Sequence, residues 1–266
     1  MLICVLGDAH LDVVVRMSGP LAEDTDTPAT TLLTVGGQGA NVAAWAAALG
    51  ARSRLIAALG TDLAARLVHA ELSKRGVELV GPVVPGRTGV VVSLSDGGRK
   101  RSMLTDRGVG TELAATDLAD EWLDADWLHV PAYSFGREPT QGMALAAIRA
   151  ASARATRLSI DISSTALIRA YGVTSFRRLI AELDPDVIFG TEAEADLMSG
   201  VLADRLIVKL GQAGVRAAGR HYPARPTAAI DATGAGDAFA AGYLVGGIEL
   251  GLSAAAQAVA TMGAMP

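Results

Sequence analysis

Apolar and polar positions along the chain group into two recurring kinds of segment. Short apolar runs at 2–6, 54–58, 127–130, 158–162, 187–189 and 206–210 read as strands. Longer stretches at 40–49, 62–75, 140–153, 176–183, 191–198, 235–250 and 253–262 predict helices, the first two closed by Gly50 and Gly76. Apolar strands that alternate with helices predict an α/β fold with a mostly parallel sheet covered on both faces. The segments 13–35 and 83–105 break this rhythm. Their strands, at 13–15, 30–35, 88–95 and 99–104, have no helices between them, and Asp96-Gly97-Gly98 is a hairpin signal. They predict a small antiparallel flap on the α/β core. Weaker strands fall at 215–218 and 220–222, and there is no internal repeat or low-complexity linker.

Composition narrows the class. A length of 266 residues, at ~150 per domain, favours one large domain, or one core with a small appendage. With 50% hydrophobic and 19% charged residues, the chain is neither a disordered tail nor a coiled coil. Alanine fills 50 positions, and 20 of the 23 basic residues are Arg, a bias that reflects GC-rich coding more than function. The net charge of −5, with no basic block, excludes nucleic acid from the expected partners. The single cysteine, Cys4, rules out a disulfide framework and reads as a buried core thiol. The apolar start has no basic region before it, so it is not read as a signal peptide. The longest apolar stretches, 42–49 and 238–248, fall short of the ~18 residues of a membrane span. A cytoplasmic protein is expected.

Three segments carry chemistry. In Asp231-Ala-Thr-Gly-Ala-Gly-Asp237, the small residues Gly234, Ala235 and Gly236 let backbone N–H groups approach a ligand, and they open an apolar helix. A helix N-terminus with unpaired donors makes an anion hole suited to phosphate. Asp237, in the first helical turn, can take a proton from an attacking hydroxyl. A capping acid on a tight loop would explain the same letters taken singly. Two acids six apart around a glycine turn favour function. The second segment, Gly36-Gly37-Gln38-Gly39-Ala40-Asn41, also leads into a helix. It is neither a dinucleotide fingerprint nor a P-loop. Asn41, inside an otherwise apolar helix, needs a polar partner, and a ligand hydroxyl would serve. Asp8 and Asp12 follow the first strand, at the end where α/β sheets bind ligands, and could grip sugar hydroxyls. Loop and capping duty is the plain alternative for both.

These segments, in this order, resemble the ribokinase-like (PfkB-type) carbohydrate kinase family. Gly60-Thr61-Asp62, Thr88-Gly89, Asp106-Arg107-Gly108, Thr191-Glu192-Ala193-Glu194 and Lys209-Leu210-Gly211 with Gly214 agree with it, so the resemblance covers nearly the whole chain. It implies a three-layer α/β/α sandwich with a β lid, residues 1–266 forming one kinase domain and 13–35 and 83–105 supplying the lid. It implies transfer of the γ-phosphoryl group of ATP to a primary hydroxyl of a sugar, with Asp237 as base and Gly234, Ala235 and Gly236 as anion hole. Asp8, Asp12, Gly36, Gly37, Gln38, Asn41 and Arg107 would bind the substrate. Thr191, Glu194, Lys209, Gly211, Gly214, Asp231 and Thr233 would lie along the nucleotide, with Glu194 organising Mg²⁺ and Asp231 and Thr233 belonging to a monovalent-cation (K⁺) site.

The chain also departs from that pattern. Thr191 stands where the family's Asn-x-x-Glu motif has Asn. Gln38 replaces a Lys found in ribokinases proper, and Arg107 is a candidate to restore the charge. Only four residues lie between Gly200 and Arg205, where the family usually has a helix. The sequence reaches Pro266 before the loop and helix that complete the adenine pocket in relatives, so either the nucleotide pocket is trimmed or a longer C-terminus follows. Two alternatives follow. One is a nucleoside kinase acting on adenosine, inosine or pseudouridine, with Tyr133 and Phe135 as the candidate wall for the base, although ordinary core packing is the plainer account of both. The other is a catalytically weak ligand-binding protein on the kinase fold. Pairing of two lids would make a homodimer.

Overall fold

The computed structural model describes residues 1–95 and 101–266, and the hairpin turn expected at Asp96-Gly97-Gly98 lies outside the described residues. The strands are β1 (Leu2–Leu6), β2 (His10–Met17), β3 (Ala29–Gly36), β4 (Arg52–Ile56), β5 (Val77–Val80), β6 (Thr88–Ser95), β7 (Arg101–Gly108), β8 (Trp127–Pro131), β9 (Arg157–Asp161), β10 (Val187–Thr191), β11 (Leu206–Lys209), β12 (Val215–Ala217) and β13 (Arg220–Tyr222). The helices are α1 (Gln38–Ala48), α2 (Leu63–Lys74), α3 (Thr140–Ser152), α4 (Thr165–Tyr171), α5 (Val173–Leu183), α6 (Glu192–Met198), α7 (Ala235–Gly246) and α8 (Ile248–Val259).

Nine strands form one sheet in the order β13-β12-β11-β10-β9-β8-β1-β4-β5, parallel from β11 to β5, with β12 and β13 added antiparallel. Alternation along β1 explains its two covered faces. Ile3 and Val5 join a core with buried residues of α1, α7 and α8, while Cys4 and Leu6 join a second core with residues of α3 and α5. Cys4 is fully buried, and burial pushes its thiol up to about 12, so it is an inert core residue. From β1 the chain runs outward to β4 and β5, then returns to build β8 through β11 on the other side. The order therefore reverses between β1 and β8, the place where an open α/β sheet offers a crevice.

The second sheet has the order β3-β2-β6-β7. Its outer pairs are antiparallel, but its central pair, β2 with β6, is parallel. The small flap is therefore present, antiparallel in two of its three strand pairs and parallel in the middle one. β2 and β6 are joined by the long excursion through α1, β4, α2 and β5, so no tight turn dictates their direction. Residue 83 also lies outside this sheet, because Val83 bridges Leu59 beside β4 instead. The root of β6 is tied to the core by Gly60, whose N–H donates to Thr88 Oγ1 (2.8 Å), and by Thr88, whose N–H donates to Asp62 Oδ2 (3.2 Å).

The pattern of residues missed two regular elements, β5 and α4, both short. It also placed the last helix break too late. α7 ends at Gly246 and Gly247 caps it, whereas the expected boundary lay at 250–253. Two successive glycines cost more helix propensity than the residues that follow them. Residues 199–205 form turns rather than a helix.

Candidate active site

The crevice at the C-terminal edge of the parallel strands collects the polar residues singled out in the sequence. Asp8 follows β1, Asp161 ends β9, Thr191 ends β10, and Lys209 ends β11 in register with Thr191. The N-terminus of α7 faces the same edge. α1 and α7 pack closely, as both are built mainly of buried small residues. That proximity lets Asn41 on α1 reach across, and its Nδ2 donates to Asp237 Oδ2 at 2.8 Å. Asn41 is 7% exposed, and its Oδ1 is buried without a protein partner, so an acceptor stands ready beside Asp237.

Asp237 is half-buried. Burial pushes its carboxyl up to about 7, with the Asp161 and Asp8 charges adding to the rise and the Asn41 hydrogen bond and the Lys209 charge opposing it. Gly234 precedes α7 with φ 75°, and a Cβ there would lie 2.6 Å from Ala264, so only glycine fits this turn. Behind it the chain is pinned by Trp45, whose Nε1–H donates to the Ala264 carbonyl at 2.9 Å. Asp231 closes the loop before α7: Oδ1 accepts from Thr233 N–H (3.0 Å) and Oγ1–H (2.6 Å), and Oδ2 accepts from Gly263 N–H (3.2 Å).

Lys209 donates from Nζ to Asp161 Oδ2 at 2.6 Å, and Asp161 is 1% exposed. Burial alone would lower the Lys209 pKa, but the charge and hydrogen bond of Asp161 outweigh it and hold the ammonium above its ordinary value. The same Nζ lies 3.2 Å from where a Cβ on Gly236 would stand, so the ammonium lies against the α7 N-terminus. Glu194 is buried, and its Oε2 accepts the Thr191 N–H at 2.8 Å, capping α6. Gly211 and Gly214 shape the turn from β11 into β12, where the Leu210 N–H donates to the Gly214 carbonyl at 2.8 Å.

The opposite wall belongs to the start of α1 and the four-stranded sheet. Gly37 has φ 106°, and a Cβ there would overlap the carbonyl of Asp8. Glycine thus lets the 36–41 loop lie on the β1 loop, and Gly36 gives the Asp12 carboxylate the same room. Asp8 Oδ1 accepts the Gly39 N–H (3.3 Å), and its Oδ2 accepts from Arg107 Nη1 at 3.0 Å. Arg107 also lies over the Tyr133 ring, 4.9 Å from its centre. His10 stands between the two acids, with Nε2 3.0 Å from Asp12 Oδ1 and Nδ1 3.7 Å from Asp8 Oδ2. Beyond them opens a cavity of about 180 Å³, with Tyr133, Leu113 and Leu167 among its apolar walls and Arg107 and Arg137 among its charged ones. Phe135, paired with Tyr133 in the sequence reading, is fully buried in the core and lines nothing.

The structure thus brings Asp8, Asp12, Gly36, Gly37, Gln38, Asn41, Arg107, Lys209, Glu194 and the 234–237 turn to one crevice. Sequence reasoning missed Asp161, Ser163 and His10. Asp161 ends a predicted strand on the same edge as Asp8, and His10 lies between two residues already chosen, so both had a signal in position.

The sequence matches the family described as pfkB family carbohydrate kinase across residues 1–265. It is 32% identical over 271 residues to a fructokinase of Klebsiella pneumoniae, covering 92% of this chain and 83% of that protein. Its fold superposes on an adenosine kinase from Sinorhizobium meliloti with a TM-score of 0.87, covering 99% of this chain and 95% of that one at 21% identity. It is also similar to a putative ribokinase II from E. coli solved in complex with ATP and Mg²⁺, with a TM-score of 0.84 at 19% identity, covering 99% of this chain and 94% of that one. Among the described residues, no helix is long and apolar enough to cross a membrane.

Proposed function

Starting from a chain that belongs to the pfkB family of carbohydrate kinases, we propose that Asp237 is the general base that takes the proton from a primary hydroxyl of a sugar as that oxygen attacks the γ-phosphoryl group of ATP. The observation that carries this reading is the junction of Asp237, Asn41 and the α7 N-terminus in one crevice. Phosphoryl transfer needs positioning and charge stabilisation rather than covalent help from the protein. Asn41 orients the Asp237 carboxylate, and its buried Oδ1 can accept a substrate hydroxyl. The N–H groups of Gly234, Ala235 and Gly236 at the start of α7 would meet the charge that grows on the transferring group, the Ala235 N–H giving up its long 3.4 Å bond to the Ala232 carbonyl. Donors of this kind are typically worth ~10²–10³ in rate each. Asp8, Asp12 and the 36–41 loop hold the remaining hydroxyls. The four-stranded sheet is the lid that excludes water.

Among the described residues no cluster of three or more metal-ligating side chains exists. Mg²⁺ commonly rests on one or two carboxylates together with phosphate oxygens and water. The buried Glu194, beside Thr191 and near Lys209, fits that pattern, and Mg²⁺ there would neutralise phosphate charge. Asp231 and Thr233 already serve each other and Gly263 in closing the loop before α7. A cytoplasmic location and a homodimer through the lid belong to the same reading. Leu32, Leu33 and Leu104 keep part of the lid apolar and exposed.

A nucleoside substrate is the second reading, carried by Tyr133. It is 38% exposed and walls the largely apolar cavity next to Asp8, where a base could lie. The test is an ATP-dependent phosphorylation assay on D-fructose and on a panel of nucleosides. A sugar product supports the first reading and a nucleoside product the second. No ADP formed with any acceptor overturns both. Replacing Tyr133 with Ala should raise KM for a nucleoside about tenfold and leave a free sugar unchanged.

A further inference from the structure

We propose that the positive charge meeting the transferring phosphoryl group is Lys209, and that Asp161, Ser163 and Gln38 form a hydrogen-bonded strut positioning it from the substrate loop. This rests on the kinase reading above and adds a role that the 36–41 loop cannot fill, because that loop carries Gln38 and no cation.

Lys209 is positioned rather than merely nearby. Asp161 divides its two oxygens. Oδ2 receives the Lys209 ammonium (2.6 Å), and Oδ1 accepts the backbone N–H of Ser163 (3.0 Å). Ser163 lies just past β9 with φ 67°, an unusual conformation for a residue with a side chain. In that conformation its Oγ–H donates to Gln38 Oε1 at 2.6 Å, while Oγ accepts the Ala132 N–H at 3.1 Å. The strut therefore runs from the first residue of α1, through the ends of β8 and β9, to the end of β11. It joins the loop that holds the sugar to the cation beside Gly236.

An ammonium has three donors. Among the described residues the hydrogen-bond partner of Lys209 is Asp161, which leaves two donors for phosphate oxygens. The other charges facing it are the Asp237 and Glu194 carboxylates. Arg107, the other candidate for the missing loop lysine, is engaged with Asp8 and the Tyr133 face. The closeness of Lys209 to Gly236 also explains the glycine, since a side chain there would press on the ammonium. A lysine that only neutralised Asp161 would influence folding and leave phosphate recognition alone.

The experiment is calorimetric titration of the full chain with Mg²⁺·AMP-PNP and, separately, with AMP. Lys209→Met should weaken AMP-PNP about tenfold or more, the loss expected for a charge-assisted hydrogen bond. AMP, which lacks the terminal phosphates, should stay within about twofold. Lys209→Arg should recover part of the loss, and Ser163→Ala should weaken AMP-PNP about threefold with AMP unchanged. Lys209→Met leaves Asp161 buried and unpaired. The double variant Lys209→Met/Asp161→Asn removes both charges and provides a folded protein if the single one is unstable. Equal weakening of AMP-PNP and AMP, or no weakening in any folded variant, overturns the proposal. A wild-type chain that binds neither nucleotide overturns the kinase reading itself and this proposal with it.

Discussion

The floor and the rim of the crevice are built differently. The floor, made of Asp161, Lys209, Asn41 and the α7 turn, rests on the ends of buried parallel strands and on two closely packed helices. Its groups are held by short hydrogen bonds of 2.6–2.8 Å with little solvent access. The rim, made of Asp8, His10, Asp12, Arg107 and Tyr133, draws on both sheets, and its contacts are longer and partly exposed, as at Arg107, which is 41% exposed. A preorganised floor suits chemistry common to many substrates. A rim assembled from two sheets can change its residues, and so its substrate, without disturbing that floor. The comparison predicts that floor substitutions lower kcat or weaken the hold on the nucleotide phosphates, and that rim substitutions raise KM for the acceptor.

The largest effect should come from Asp237→Asn. Loss of a general base typically costs ~10²–10⁴ in rate, and KM should hardly move. The wild-type rate should also fall below about pH 7, where the Asp237 carboxyl becomes protonated, and this limb should vanish in the variant. Steady-state profiles from pH 5 to 9 check both. A variant with near-wild-type kcat would remove Asp237 from the chemistry. Gly234→Ala comes next. Its Cβ would stand 2.6 Å from Ala264 in a backbone conformation that alanine resists. The turn must shift, and a displaced anion hole should lower kcat by about 10²-fold. A lowered Tm with kcat intact would show that the turn supports the fold without serving the reaction.

The floor was also the more legible half in the sequence. Glycines that must approach a ligand or a neighbouring backbone leave a mark in the letters, as at Gly37 and Gly234. A polar residue in an apolar helix does too, as at Asn41. The α/β class and the two segments of the second sheet were equally visible, because both periodicities are local. What was hidden depends on pairing between distant segments. Nothing in the letters shows that β2 pairs with β6 in parallel, or that Asp161 would meet Lys209 across 48 positions. Phe135 and Tyr133 looked alike as a wall, yet one short turn buries the first and exposes the second. Only the packed fold separates them.

At the rim, Arg107→Ala tests the other side of the comparison. Arg107 bridges the four-stranded sheet to Asp8, which orients a substrate-holding carboxylate without touching the phosphoryl group. Its loss should raise KM for the acceptor about tenfold, the worth of one charge-assisted hydrogen bond, with kcat within about threefold. Initial-rate measurements at saturating ATP give the two constants separately. A fall in kcat with KM unchanged would move Arg107 to the floor.

The smallest effect reveals what the floor costs in stability. A carboxyl whose pKa rises from 3.8 when unfolded to about 7 when folded binds its proton more tightly in the native state. Between those values the native state therefore binds more protons than the unfolded one, so stability falls as pH rises. The penalty is absent below about pH 4 and fully present above about pH 7. At ~1.4 kcal/mol per pKa unit its upper bound is about 4 kcal/mol. Asp237→Asn cannot ionise and escapes it. The variant should melt several degrees above wild type at pH 8, at ~2–4 °C per kcal/mol, and close to wild type at pH 4.5. Asp8→Asn, which strips Arg107 of its partner, should by contrast be neutral or destabilising at pH 8. Equal Tm differences for Asp237→Asn at both pH values would mean that the carboxyl is not held against its charge, and the contrast between floor and rim would then rest on geometry alone.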